Sequence, residues 1–177
     1  MSYSYQKQLI EIWNKAVELY KDGQRGADSY FSETELSFLK SIGHTAQEVY
    51  DFAEDFNTSQ EPDLATFLML ADRRRSYFLN KQNGKHSTNI VESDTLPAKD
   101  ESVNGIKWLP RIIPKAYAKL RGEMNPDLMY GCGGDRKFFK TQDIHPAEFL
   151  SIAETYEDDP SKIIEVFSAR EATVKDA

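Results

Sequence analysis

Apolar residues along the chain recur mainly at three- and four-residue intervals, the spacing that draws a stripe along one face of an α-helix. Tyr5, Leu9, Ile12, Trp13, Ala16, Val17 and Tyr20 form the first stripe, on a helix that ends before Gly23. Ser32 with Glu35, and Thr45 with Glu48, are capping-box pairs, in which the hydroxyl accepts from the third amide while the carboxylate reaches back. They predict helices over 33–42 and 46–56. Pro62 and Asp63 open a longer helix over 63–82, which Asn83 and Gly84 stop. The stretch 83–107 is polar and aperiodic, either a mobile loop or a tie crossing the surface. Pro110 and Pro114 lie four apart, and a proline past the first turn forfeits a backbone hydrogen bond, so the next helix is predicted to begin near Ile112 and end at Gly122. A Gly- and Pro-rich loop over 123–134 leads to helices over 135–142, 146–156 and 160–170.

No segment sustains the two-residue alternation of a strand. The pattern predicts an all-α fold, one domain of about eight helices with the 63–82 helix at its centre and the N-terminal helix packed across it. Residues 1–31 would form that helix and its connection, 32–170 the core, and 171–177 a disordered tail. One internal repeat is visible: 39–54 matches 139–154 at an offset of 100, each a short helix, a turn carrying an Ile, a capping residue and a second helix. That arrangement is common local chemistry, so convergence explains the match as well as duplication does.

Composition narrows the classes. The chain has 177 residues, 21 of them aromatic, enough to build a packed interior and to exclude wholesale disorder. Its single cysteine, Cys132, forms no internal disulfide, and the start carries neither the basic flank nor the apolar run of a secretory signal, so a reducing, cytoplasmic setting is expected. The longest apolar stretch, 64–71, is well short of the ~20 residues that span a bilayer, so no membrane is expected. The net charge of −7 hides an uneven map: residues 1–72 hold 5 basic and 13 acidic side chains, 73–140 hold 14 and 7, and 141–177 hold 3 and 9. Such a basic middle either offers an anion-binding surface or pairs with the acidic ends.

Two places can carry chemistry. On the 63–82 helix, Asp72, Arg73, Arg74 and Arg75 interrupt an apolar run, and at ~100° per residue three consecutive arginines cannot share one solvent face. Arg75 falls in line with Leu68, Ala71, Phe78 and Leu79. A guanidinium cannot shed its charge, so it meets either a carboxylate of the chain or an anionic ligand. The second place is Gly131, Cys132, Gly133, Gly134, Asp135 and Arg136, directly before a helix, where glycines can turn successive amides onto an anion. No Gly-Lys-Ser/Thr follows, so it is not a P-loop; Asp135 as N-cap would compete for the same amides, and a capped turn is the plainer alternative.

No catalytic set is specified. Cys132 gains thiolate character from the helix end and Arg136, and a Cys132, His145 and Asp143 arrangement can be written, though a lone cysteine is more often a small buried hydrophobe. His44, His86 and His145 are scattered, so neither a metal nor another cofactor is expected. Arg111, Lys115 and Lys119 share a helix face near Trp108 and Tyr117, but the acidic net charge weighs against nucleic acid and favours a solvated basic face.

The segments Ala71–Leu79, Gly105–Ala116, Gly122–Met124, Tyr130–Arg136 and Ile144–Leu150 resemble an uncharacterised family of small all-helical bacterial proteins, over roughly residues 32–155. The resemblance implies a bacterial cytoplasmic source and brings no activity with it. The combined expectation is a pocket for a small anionic ligand, lined by Arg74, Arg75, Arg111 and the loop from Gly131 to Arg136. The alternatives are a non-enzymatic module that engages a protein partner or its own copy, and a thiol enzyme built on Cys132.

Overall fold

The computed structural model describes residues 3–175, with side chains through Arg170. Among the described residues the fold is all-α, with eight helices and one small antiparallel hairpin. The chain divides into two compact units, Met1–Ser87 and Thr88–Ala177, where one core over 32–170 was expected. The division falls inside the long polar stretch.

The first unit holds α1 (Ser4–Lys21), α2 (Glu33–Ser41), α3 (Ala46–Ser59) and α4 (Leu64–Asn80). The stripe of α1 buries Leu9, Ile12, Trp13, Ala16 and Val17, chiefly against α3 and also against α4. Trp13 meets Phe56 edge-on at 5.0 Å, and Phe52 meets Phe67 at 5.3 Å. Both capping boxes form as the spacing predicts. Asp63 caps α4 by accepting from the Thr66 amide at 2.8 Å. One face of α4 is buried, through Phe67, Leu70, Ala71, Arg74, Tyr77 and Phe78, whereas Met69 and Leu79 are exposed. The helix therefore lies at the surface and is not enclosed all round. His44 is buried between the Ala71 carbonyl and the Glu48 carboxylate, at 3.1 and 3.2 Å.

On α3, burial, reinforced by the carboxylates of Glu54, Glu48 and Asp55, pushes the Asp51 carboxyl up to about 7 despite a hydrogen bond from Gln47. The folded state thus keeps a proton that the unfolded chain releases near its ordinary value of 3.8. Stability from this group is complete below that value and is lost as pH rises through 7. Asp51→Asn should unfold like the wild type at pH 4 and gain of the order of 1 kcal/mol over it at pH 8.5, after discounting for partial exposure. Urea midpoints at the two pH values check this.

The second unit holds a hairpin of β1 (Ser102–Val103) and β2 (Ile106–Lys107), then α5 (Leu109–Arg121), α6 (Gly133–Thr141), α7 (Pro146–Thr155) and α8 (Ser161–Lys175). Asn104 and Gly105, at φ +51° and +82°, supply the tight turn that a two-residue hairpin needs. The polar stretch is a tie: Val91 bonds Glu123 and Asn125 through its backbone, and Leu96 is buried. The helix α5 begins at Leu109, earlier than expected, with Trp108 as N-cap at φ +72° and Pro110 in the first turn. Pro114 sits inside it, so the Pro110 carbonyl loses its helical donor; burial of Leu109, Ile112, Ile113 and Ala116 outweighs one missing bond. α5 packs on α7, and Phe138, Phe139, Phe149 and Phe167 fill the core. α8 continues through residues expected to be tail, and 176–177 lie outside the described residues.

Candidate functional site

The first unit contains the arginine cluster. The buried residue is Arg74, not Arg75: its side chain is 1 % exposed, donates to Gln82 Oε1 at 2.7 Å and lies over Phe78 at 5.2 Å. The reason is phase. Arg74 continues the spacing of Phe67, Leu70 and Ala71, and at ~100° per residue its neighbour turns away. Arg74 is thus sealed in the unit's interior and is not available to a ligand at the surface.

Arg75 is half-buried, with its guanidinium 4.1 Å from the centre of the Tyr5 ring. Its Nε is sealed from solvent without a hydrogen-bond partner, and among the described residues no carboxylate pairs with it. Tyr5 is fixed in turn by a 2.5 Å hydrogen bond to Asp72. Burial, and then this bond to Asp72, raise the Tyr5 phenol above its ordinary value, so it stays protonated at neutral pH. The result is a cation held over an aromatic shelf.

The second unit contains the glycine loop. Cys132 is the N-cap of α6 and makes no side-chain cap, while Asp135, expected as the N-cap, is the third helical residue. Asp135 is fully buried and accepts three hydrogen bonds: from Lys115 Nζ at 2.5 Å, from Trp108 Nε1 at 2.9 Å and from the Gly131 amide at 2.9 Å. The Gly131 amide is therefore answered by the chain's own carboxylate. Two further donors turn to backbone carbonyls, Arg136 to Gly131 at 2.9 Å and Arg111 to Pro97 at 2.7 Å. Trp108 covers the assembly so closely that a Cβ on Gly134 would stand 2.5 Å from the indole. At Gly133 the nearest atom to such a Cβ is in Arg136, at 3.8 Å. Burial, and then the Asp135 charge, push the phenol of Tyr130 well above its ordinary range.

The Cys132 thiol is partly exposed and lies 3.5 Å from Lys115 Nζ. His145, paired with it on paper, caps α7, its Nδ1 accepting from the Ala147 amide at 3.1 Å. Lys115 and Lys119 are buried rather than forming the solvated basic face expected of them. Among the described residues no group of three His, Cys, Asp or Glu side chains could hold a metal, and no helix is long and apolar enough to cross a membrane.

Sequence reasoning missed Tyr5, Trp108 and Lys115 as parts of these sites. The hydrogen bonds that bring all three into these sites span at least 17 positions, beyond any local motif. No family model, no curated protein and no solved structure matches the chain.

Proposed function

We propose that the chain is a binding protein for a small anion, a carboxylate or phosphate, held by Arg75 on the first unit. The observation that carries this reading is the Arg75 guanidinium, stacked on Tyr5, half out of solvent and without an anionic partner among the described residues. A guanidinium so placed offers a flat fork of donors whose orientation is already fixed, which lowers the entropy cost of capturing an oxyanion. Arg74, Arg111, Gly131, Asp135 and Arg136 are left out of the site, because partners within the chain already engage them, and with them goes the loop that carries Cys132, Gly133 and Gly134. The reading asks for no cofactor. It sets the protein in the reducing cytoplasm of a bacterium, in keeping with the lone cysteine and the family resemblance.

A thermal-shift screen with phosphate, sulfate, nucleotides and small dicarboxylates tests it, since a binder of the native state raises the midpoint by mass action. At least one small anion should raise the wild-type midpoint by several degrees and leave Arg75→Ala unmoved. No shift from any anion would sink the reading and favour a protein partner.

A second reading, thiol chemistry, rests on geometry: the partly exposed Cys132 Sγ accepts from Lys115 Nζ at 3.5 Å at the N-terminus of α6. Native Cys132 should then react with iodoacetamide at pH 7 at least tenfold faster than a free cysteine. A rate at or below that of the free amino acid would remove this reading.

A further inference from the structure

We infer that the two units are copies of one ancestral four-helix unit, and that the corner between α5 and α6 is where the second copy was remodelled. The repeat seen in sequence is far longer in structure. α2 and α6 are offset by 100 positions at both ends, α1 and α5 both end at that offset, and α3 and α7 both begin at it. In both units the first helix packs on the third. The turn between second and third helices is built alike: Gly43 and Asp143 both take a positive φ, His44 returns its amide to Leu39, and Ile144 returns its amide to Phe139. Core positions correspond as well, with Leu9, Ile12, Ala16, Tyr30 and Ala53 buried like Leu109, Ile112, Ala116, Tyr130 and Ala153.

Convergence accounts for a capped helix, because caps are local. It does not account for a side-chain pair that joins two helices at the same offset. Lys15 donates to Glu35 at 2.7 Å in the first unit, and Lys115 donates to Asp135 at 2.5 Å in the second. The pair staples the first helix to the start of the second in both copies, so the lysine and the acid are scaffold. The copies differ around that staple. In the first, Ser32 caps α2 and the pair is half exposed; in the second, Cys132, Gly133 and Gly134 replace Ser32, Glu33 and Thr34, and Trp108 seals the pair from water. Trp108, Cys132, Gly133 and Gly134 are thus additions of the second copy, not demands of the fold.

Segment exchange in the full chain tests the inference. Residues 35–41 are replaced by the sequence of 135–141, and reciprocally 135–141 by that of 35–41, which leaves Gly43 and Gly134 in place, and a control inserts the same residues shifted by two positions. Either in-register exchange is expected to keep the wild-type helix content by circular dichroism and a cooperative thermal transition, while the shifted control loses both. The inference is overturned if both in-register exchanges unfold, or if the shifted control folds as well as they do.

Discussion

Asp135→Ala is expected to destabilise the second unit by about 3–5 kcal/mol, the range for breaking a buried ion pair from one side. The carboxylate answers Lys115, Trp108 and the Gly131 amide, and all three would be left in a space that water does not reach. Removing both charges is a different matter. Lys115→Met with Asp135→Leu leaves no orphaned charge, and should lose less than Asp135→Ala because desolvation of the native pair offsets much of its attraction, although Trp108 and the Gly131 amide still lose their acceptor. The two tryptophans make this measurable: Trp13 lies in the first unit and Trp108 in the second, so in a Trp13→Phe background urea unfolding followed by fluorescence reports the second unit. A single substitution no worse than the double would show that the network is not what holds α6 to α5.

Gly43→Ala should cost the first unit about 2–4 kcal/mol, from a side chain in the left-handed region added to overpacking of the core. Its φ is +81°, and an added Cβ would stand 2.8 Å from Cβ and Cγ of Phe78 and 3.2 Å from the Arg74 guanidinium carbon. Phe78 is itself buried, with the His86 ring tilted against it at 4.6 Å, so it has little room to retreat. Amide exchange in α1 and α3 should accelerate by about 30-fold or more, by the free-energy range above. The corresponding turn of the second unit carries Asp143 at φ +46°, where an exposed side chain is tolerated. The expected effect therefore comes mainly from the contact with Phe78, and Gly43→Ala with unchanged exchange would refute that.

What the sequence makes legible is local. Ser32, Thr45 and Asp63 each reach an amide three residues ahead, so these caps can be read without knowing the fold. Arg74 and Arg75 differ by one helical step, and the apolar run around them is broad enough to fit either phase; packing against the unit's other helices decides it. The hairpin escaped notice because its strands are two residues long and show no alternation, leaving Asn104–Gly105 as the one signal. Lys115 read as a basic face, since its acid lies 20 positions on and the Lys15–Glu35 precedent sits outside the stretch where the repeat is visible in sequence. Asp135 as N-cap is expected to compete for the loop's amides; it takes one of them, that of Gly131, from the third helical position, where it also accepts from Lys115 and Trp108.

The most direct measurement follows the Nε–H resonance of Arg75, assigned by its loss in Arg75→Lys, while phosphate and then a small dicarboxylate are titrated into the intact protein at constant ionic strength. Binding at the Tyr5 shelf predicts saturable movement of that resonance with one of the two anions, together with the Tyr5 ring signals and without movement of the Gly131 amide. An Arg75 signal unmoved at anion concentrations of tens of millimolar would contradict it.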